Sequence, residues 1–393
     1  MIKQIQCDAV ELAASLVKIE STNPGACEGR IGEFIYHYLE KAGVRPEKSL
    51  AAPGRFNVRA VLEGEVKHPA LIFICHMDTV VKGDGWNVEA FGGRIEEGRL
   101  WGRGACDMKS GLACALSVFA ETADLVRRGG MKLSHSLVFI GTVDEEGDMQ
   151  GVEQAILDKW VTEKDWVVDM EPTDGQLQMS HKGRTWFELE VQGVTAHASM
   201  PEKGADAVAG MSAILTYIRS KILKCPVHPE LGPSTVTFGQ IQGGYSPYVV
   251  PDKCKATIDM RLVPPMNTKK AEEILRTAIE EGKQQVPGIT GSYQITGDRP
   301  WVETHPESTL LNELRKAICE ATGMPPQISA FPGYTDTAVI AGKLKNRECM
   351  SYGPGSLQQA HKPNEFVLTT EIERCQEVFR ILVRNMLTAE RAL

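Results

Sequence analysis

The segment VFIGTVDEE, residues 138–146, sets an apolar run of strand length directly before three acids. A second apolar run, LIFIC at 71–75, is followed by His76 and, two residues later, by Asp78. Apolar runs of this kind between helices of ten or more residues are typical of a buried, mostly parallel sheet. The sequence therefore predicts an α/β fold with helices flanking the sheet and ionisable side chains at the carboxyl ends of the strands.

The order of elements predicts one domain interrupted by another. From about residue 183 the pattern changes to β-α-β-β-α-β, which is typical of a ferredoxin-like sheet with helices on one face. We expect a catalytic, metal-binding domain over residues 1–182 and 300–393, and an inserted α+β domain over 183–299. Within the first of these, helices are predicted near residues 5–20, 28–43, 109–128, 150–159, 308–321 and 369–389, and a strand near 55–62.

Composition narrows the class of protein. A chain of 393 residues fits two domains, or one large domain with an insertion. The net charge of -8 offers no basic surface for nucleic acid, and no apolar stretch approaches the roughly 20 residues of a membrane helix. The amphipathic start, MIKQIQCDAVELAASLVKIE, lacks the features of an export signal, so a cytoplasmic protein is expected. The ten cysteines form no C-x-x-C pair and are predicted to be reduced thiols, most of them buried.

Potential metal ligands recur at the predicted strand ends. A single His-x-Asp pair is common on surfaces, but several acids in one crevice need compensating positive charge to stay ionised. Imidazole and carboxylate ligands without thiolate suit zinc, cobalt or manganese, and the supply of ligands allows a two-metal site with a shared carboxylate. The side chains concerned are His76, Asp78, Asp107, Glu145, Glu146, Asp169 and Glu171.

A set of seven motifs extends this pattern over nearly the whole chain. In chain order they are HMDTV, WGRGACDMKSG, TVDEEGD, MEPTDG, TAHASMPEKGADA, DMRLVPP and AHKPNE. In these motifs and their order, the chain resembles the co-catalytic zinc amidohydrolases that include aminoacylases, acetylornithine deacetylase, succinyl-diaminopimelate desuccinylase and glutamate carboxypeptidases. The resemblance implies a zinc-peptidase-like catalytic domain and an inserted lid and dimerisation domain.

The resemblance also implies a metal centre with two divalent ions per subunit, Zn²⁺ in the first place and Co²⁺ or Mn²⁺ as alternatives. His76 and Glu171 would bind one ion, and His361 and Glu146 would bind the other. Asp107 would bridge the two.

Three further side chains would take part in the reaction. Glu145 would be the general base that accepts a proton from the attacking water and passes it to the leaving amine. Asp78 would orient His76 through its other ring nitrogen. His197 resembles an oxyanion-stabilising histidine that is often presented by the partner subunit, and its alternative is an ordinary surface histidine.

The resemblance assigns a substrate-binding role to Arg261, which would clamp a substrate carboxylate, and to the loop with Gly353 and Gly355. A structural salt bridge and a plain turn are the respective alternatives. Tyr248 stands where many relatives carry an asparagine that helps hold substrate. This difference puts in doubt the assignment of any particular relative's substrate to this chain. Asp336, in GYTDTA, receives no role.

These expectations combine into a metal-dependent hydrolase that cleaves the amide bond of a small N-acyl amino acid and works as a homodimer. A carboxypeptidase or dipeptidase acting on short peptides is the alternative within the class. A catalytically silent binding protein is the alternative from another class. A nucleotide-dependent oxidoreductase is disfavoured, because the Gly102-Arg-Gly104 pattern carries Asp107 where a third glycine is needed.

Overall fold

The computed structural model describes residues 8–388. The helices in this part of the chain are α1 (Ala9–Val17), α2 (Gly29–Lys41), α3 (Ser110–Arg127), α4 (Gln150–Leu157), α5 (Ala207–Ile222), α6 (Thr268–Gln285), α7 (Thr309–Thr322), α8 (Asp336–Leu344) and α9 (Thr369–Leu387). The strands are β1 (Glu47–Ala52), β2 (Arg55–Leu62), β3 (Val66–His76), β4 (Arg94–Glu96), β5 (Arg99–Trp101), β6 (His135–Thr142), β7 (Trp166–Asp169), β8 (Leu177–His181), β9 (Gly183–Gln192), β10 (Thr235–Gly243), β11 (Lys253–Leu262), β12 (Thr290–Arg299), β13 (Ile328–Phe331), β14 (Cys349–Ser351) and β15 (Phe366–Leu368).

The described chain divides into two compact units. The second unit takes in residues 180–303 and 332–334, and the first takes in the remainder. The segment 183–299, for which an inserted domain is predicted, lies inside the second unit.

The first unit is built on a sheet with the strand order β1-β2-β6-β3-β7-β14-β8-β13. Strands β6, β3, β7 and β14 run parallel to one another, whereas β1, β2 and β8 join antiparallel to their neighbours. Phe73 of β3 packs on Phe379 of α9, with 5.1 Å between ring centroids. Helices α4 and α8 also pack against strands of this sheet. The prediction of a mostly parallel α/β sheet flanked by helices is confirmed, and burial on both faces explains the continuous apolar runs at 70–75 in β3 and 137–140 in β6.

The second unit is built on an antiparallel sheet with the order β10-β11-β9-β12. Helices α5 and α6 cover one face, because alternate side chains along β9, namely Phe187, Leu189 and Val191, are buried in a common core with both helices. We call the opposite side, which carries Trp186 and Glu188, the open face.

Some elements were not anticipated from the sequence. These include β1, α8 and a small separate sheet of β15, β5 and β4. Two predicted helices run past the described residues: α1 is seen from Ala9 and α9 as far as Leu387, so residues 5–7 and 389 lie outside the described part. Cys7 also lies outside it, and the cysteines within it are free. Between residues 8 and 388, none of the helices has the length and apolar character needed to cross a membrane.

Gly111 in the first turn of α3 allows this helix to begin against the end of β7. An ideal Cβ on Gly111 would lie 2.1 Å from the carbonyl oxygen of Met170, which is closer than any side chain can approach. The helix that follows Asp107 is therefore packed directly against the backbone that leads to Glu171.

We predict that Gly111→Ala lowers the free energy of unfolding by about 1–3 kcal/mol, because the added methyl group overpacks this contact. Gly29→Ala is the matched control: it lies at the start of α2 and its Cβ would meet nothing within 4 Å. The control should leave stability unchanged or raise it by about 0.5–1 kcal/mol. Urea denaturation of both variants measures the difference, and equal midpoints would contradict the close contact.

Candidate metal centre

Two histidines share one carboxylate in the first unit. His76 ends β3, and its Nε2 lies 3.1 Å from Oδ1 of Asp107. His361, in the turn before β15, places its Nε2 at 3.3 Å from the other oxygen, Oδ2. The Asp107 carboxylate thus faces one imidazole with each oxygen, which is the arrangement that a bridging ligand requires.

Each histidine has a second carboxylate beside it. Oε1 of Glu171 lies 3.6 Å from His76 Nε2, and Oε1 of Glu146 lies 3.1 Å from His361 Nε2. Ligand atoms about 2.1 Å from a tetrahedral zinc ion lie about 3.4 Å from one another. The observed separations fall around this value, so the donor set fits two metal ions in both chemistry and spacing.

The pKa values of the clustered groups also indicate a site for cations. Burial opposes ionisation of Asp107, but hydrogen bonds with His361 and His76 hold the pKa of its carboxyl well below the usual range. Hydrogen bonds with Asp107 and Glu146 raise the pKa of His361 to about 10. Burial raises the pKa of Glu171 well above its ordinary value, and the nearby Asp107 charge adds to this. Protons held by these groups occupy positions that divalent cations would take instead.

Glu145 lies beside the His76 half of the cluster. One ligand atom from each of Glu145, Glu171 and His76 lies within 4.8 Å of the other two. Burial raises the pKa of Glu145 well above the usual value, and the Glu146 charge reinforces the shift.

Asp78 lies beside His76 with both its backbone carbonyl and its carboxylate. The closest acceptor for Nδ1 of His76 is the backbone carbonyl of Asp78, at 3.0 Å, whereas the nearer carboxylate oxygen is at 3.6 Å. The carboxylate instead accepts the backbone N–H groups of Glu145 and Glu146, each at 3.2 Å. Asp78 therefore ties the end of β3 to the segment after β6 and holds it with a buried charge.

Asp144 and its partners form a second support that the sequence did not reveal. Asp144 has a φ of 67° and turns the chain after β6. Its carboxylate accepts from Asn23 at 2.9 Å, from Arg55 at 2.8 Å and from Gln150 at 2.7 Å. Arg55 also forms a two-bond pair with Glu28, which in turn accepts the Asp144 backbone N–H at 3.0 Å. Asp144 thus has a structural place beside Glu145, where its carboxylate is held by Asn23, Arg55 and Gln150.

The position of Asp107 corrects one expectation. This residue does not lie at the end of a strand of the main sheet; it lies in the turn between β5 and α3. Glu365, which was not selected from the sequence, holds that turn: its carboxylate accepts backbone N–H groups of Cys106 at 2.8 Å and Asp107 at 3.1 Å. It also accepts from Arg103 Nη1 at 2.5 Å, and both side chains of this pair are buried. Only its place as the last residue of the AHKPNE motif, four residues after His361, could have drawn attention to Glu365.

Gly353 and Gly355 fit against the backbone and side chains of the first unit. A Cβ on Gly353 would lie 2.2 Å from the carbonyl oxygen of Met170, and one on Gly355 would lie 2.6 Å from Sγ of Cys106. Both glycines therefore allow close approach to the segments that carry Glu171 and Asp107.

Two further acids at this edge of the sheet bind hydroxyl groups. Asp336 begins α8 and accepts from Thr142 at 2.6 Å, and burial raises the pKa of its carboxyl to about 7. Asp169, a candidate ligand from its place after an apolar run, accepts from Thr337 at 2.7 Å. Both acids anchor the start of α8.

His197 and Arg261 lie in the second unit. His197 is exposed and pairs with Val249 in an isolated antiparallel bridge. Its Nδ1 accepts the Ser199 backbone N–H at 3.2 Å, so the neutral ring carries its proton on Nε2. Tyr248, 73% exposed, lies in the turn before Val249, and its carbonyl oxygen accepts the backbone N–H of Ala198 at 3.0 Å.

Arg261 forms a bidentate pair with Asp259 on the open face of β11. Nε donates to Oδ1 at 2.8 Å and Nη2 donates to Oδ2 at 2.9 Å. The structural salt bridge weighed as an alternative for this arginine is present. It does not exclude a second contact, because Nη1 takes no part in the pair.

Comparison with known proteins places this site in a family. The profile of the peptidase family M20/M25/M40 matches residues 72–385, and the chain belongs to this family. Acetylornithine deacetylase from Myxococcus xanthus is 26% identical over 356 residues, which cover 88% of this chain and 89% of that protein. The chain is therefore a metallohydrolase, as the motif resemblance predicted.

Solved structures share the fold over the full chain. Aminopeptidase PepT from Bacillus cereus gives a TM-score of 0.78 at 20% identity and covers 97% of this chain and 98% of its own. The YXEP protein from Bacillus subtilis, described as a dinuclear metal-binding peptidase, gives 0.69 at 17% identity with 96% and 97% covered. At these identities the likeness concerns the fold alone.

We predict that Glu365→Gln lowers the free energy of unfolding by about 3–5 kcal/mol, because it removes the counter-charge of the buried Arg103. Loss of the support around Asp107 should also weaken metal binding by roughly 10-fold to 100-fold. Glu320→Gln is the control: its pair with Arg384 is half exposed and should contribute less than about 1 kcal/mol. Denaturation curves and metal content by mass spectrometry test both effects, and a stable, fully loaded Glu365→Gln protein would contradict the assignment.

Proposed function

We propose that the protein hydrolyses the amide bond of small N-acyl amino acids. The observation that carries this proposal is the position of Glu145, a half-buried carboxyl within 4.8 Å of donor atoms of His76 and Glu171. Two divalent cations, with zinc as the first choice, would be held by His76, Glu171, Asp107, Glu146 and His361. Such a pair of cations supplies Lewis acidity, which makes a water molecule more acidic and polarises an amide carbonyl.

The chain's own residues would then perform the proton transfers. Glu145 accepts the proton of the attacking water and donates it to the leaving nitrogen, a role that suits a carboxyl whose pKa is raised by burial. Asp78 keeps Glu145 in place through the backbone N–H of that residue. His197, with its proton on Nε2, would donate a hydrogen bond to the developing oxyanion.

The substrate class rests on two further points. Arg261 carries a guanidinium whose planar donors suit a carboxylate, as its pair with Asp259 illustrates. The relatives named acetylornithine deacetylase support an N-acyl amino acid over a longer peptide. Gly353 and Gly355 would shape a substrate pocket in the first unit by the close packing that they allow.

A substrate panel tests this proposal. Protein loaded in turn with zinc, cobalt and manganese should hydrolyse N-acetyl amino acids and leave unblocked dipeptides intact. Glu145→Gln should lower kcat by roughly 10²-fold to 10⁴-fold without loss of bound metal, because only the base is removed. Glu163→Gln, at an exposed acid, is the control and should keep full activity. Cleavage of dipeptides alone would establish a peptidase instead, and no cleavage with any metal would refute the proposal.

We also propose that the second unit acts as a lid and as the interface of a homodimer, in which His197 would serve the partner's site. Apolar side chains exposed on this unit support an interface: Ile241 is 58% exposed, Tyr245 69% and Tyr248 73%. The free cysteines described in the structure support a cytoplasmic protein.

The dimer has its own prediction. Light scattering should give twice the chain mass of 43.1 kDa, and Tyr248→Asp should shift the protein towards monomer. Met324→Asp is the control, because Met324 is 69% exposed but lies in the first unit. A monomeric mass together with full activity would contradict both the dimer and the role of His197 across it.

A further inference from the structure

The connection between α1 and α2 runs beside the cluster of the first unit and is fixed by backbone hydrogen bonds. Thr79 of the HMDTV motif donates its N–H to the carbonyl of Ser21 at 3.0 Å, and its own carbonyl accepts the N–H of Asn23 at 2.8 Å. Earlier in the same connection, the carbonyl of Ile19 accepts from the buried ammonium of Lys109 at 2.6 Å. The backbone that carries Asn23 therefore has a defined place.

The side chain of Asn23 joins two carboxylates. Its Nδ2 donates to Oδ2 of Asp78 at 2.9 Å and to Oδ1 of Asp144 at 2.9 Å. A primary amide has two N–H bonds on this nitrogen, so both hydrogen bonds can form at once. Both acids are buried, and an ionised carboxylate that is buried is stabilised by donors of this kind. One amide group thus serves two buried acids.

These two acids hold the segment that carries Glu145 and Glu146. Asp144 directly precedes it in the chain, and the carboxylate of Asp78 accepts the backbone N–H groups of Glu145 and Glu146, each at 3.2 Å. By bonding to both acids, Asn23 closes a ring of hydrogen bonds around these two peptide groups. The amide is therefore one residue removed from the side chains that face the histidines.

Gly147 lets the chain pass close to this amide. An ideal Cβ on Gly147 would lie 3.2 Å from Nδ2 of Asn23 and 2.7 Å from Oδ1 of Asp144. The backbone that follows Glu146 is thus packed against the hydrogen bond between Asn23 and Asp144. A shift of the amide and a shift of this backbone cannot occur independently.

From this geometry we propose that Asn23 is a positioning residue for the metal centre, which sets the places of Glu145 and Glu146 through the carboxylates of Asp78 and Asp144. The proposal rests on the proposed function for the role of Glu145, whereas its part on Glu146 needs only the metal centre. Asn23 acts through the two N–H bonds of its amide. A side chain of the same size without these donors cannot replace it.

Cobalt binding tests the proposal without turnover. The visible absorption of protein-bound Co²⁺ depends on the number and geometry of its ligands. Asn23→Ala should change these absorption bands and weaken cobalt binding by about tenfold, because the groups that orient metal ligands are disturbed. Competition with a chromophoric chelator measures the affinity.

Asn23→Asp separates the donors of the amide from its volume. This variant keeps the size of the side chain but turns a carboxylate towards Asp78 and Asp144 in place of two donors. It should therefore lose at least as much cobalt affinity as Asn23→Ala. Circular dichroism verifies that each variant is folded.

Asn346→Ala is the matched control. The Asn346 amide also donates two hydrogen bonds, to the carbonyl of Thr162 at 3.0 Å and to that of Asp165 at 2.8 Å. These carbonyls precede β7, whereas Glu171 follows the same strand. Whatever stability the control loses, it should keep the absorption bands and the cobalt affinity of the unmodified protein.

Kinetics add a second measurement once the substrate panel has identified a substrate. Asn23→Ala, saturated with metal, should lower kcat by about tenfold with KM unchanged, because the base is displaced while the contacts that bind substrate remain. Asn346→Ala should keep both constants.

The outcomes separate the two proposals. Unchanged bands and affinity in Asn23→Ala, normal cobalt binding by Asn23→Asp, or an equal change in Asn346→Ala would overturn the positioning role. If cobalt binding behaves as expected while the unmodified enzyme hydrolyses no N-acyl amino acid, the role of Asn23 at the metal centre stands and the proposed function fails.

Discussion

The carboxylate of Asp107, with one oxygen towards His76 and the other towards His361, is the interaction on which the site depends. It joins the end of a strand of the main sheet to a turn near the end of the chain. The two histidines have raised pKa values because of it, and the pKa of the aspartate is lowered in return. Any arrangement of the first unit that separates these segments also separates the two halves of the proposed metal centre.

Backbone N–H groups of the surrounding segments help to hold these acids in place by donating hydrogen bonds to two of them. Asp78 accepts the N–H groups of Glu145 and Glu146, and Glu365 accepts those of Cys106 and Asp107. An ionised carboxylate is stabilised by such donors, whereas one without them is protonated on burial. The supporting acids are therefore held by the backbone, while the acids that face the histidines remain for cations. This division explains why neighbouring carboxylates in the same segments play different parts.

The sequence predicted the sheet and much of the cluster for a definite physical reason. Strands β3 and β6 are buried on both faces, so their apolar runs are continuous, and the residues that follow them are fixed by the strand ends. Asp107 and Glu365 follow no such rule, because they lie in turns. The pairing of Arg103 with Glu365 joins residues 262 positions apart, and the network of Asn23, Arg55 and Glu28 around Asp144 is equally non-local. Periodicity carries no information on such pairs, and among the supporting acids the motif resemblance marked only Asp78.

The cluster of the first unit concentrates carboxyls at a cost to folding, because neighbouring negative charges repel one another. A ligand that binds only the folded protein stabilises it, and the more so the more tightly it binds. Cations held by Asp107, Glu146 and Glu171 would relieve the repulsion between these carboxylates. The residues that oppose folding would then also select what binds, since a neutral ligand does not relieve that repulsion.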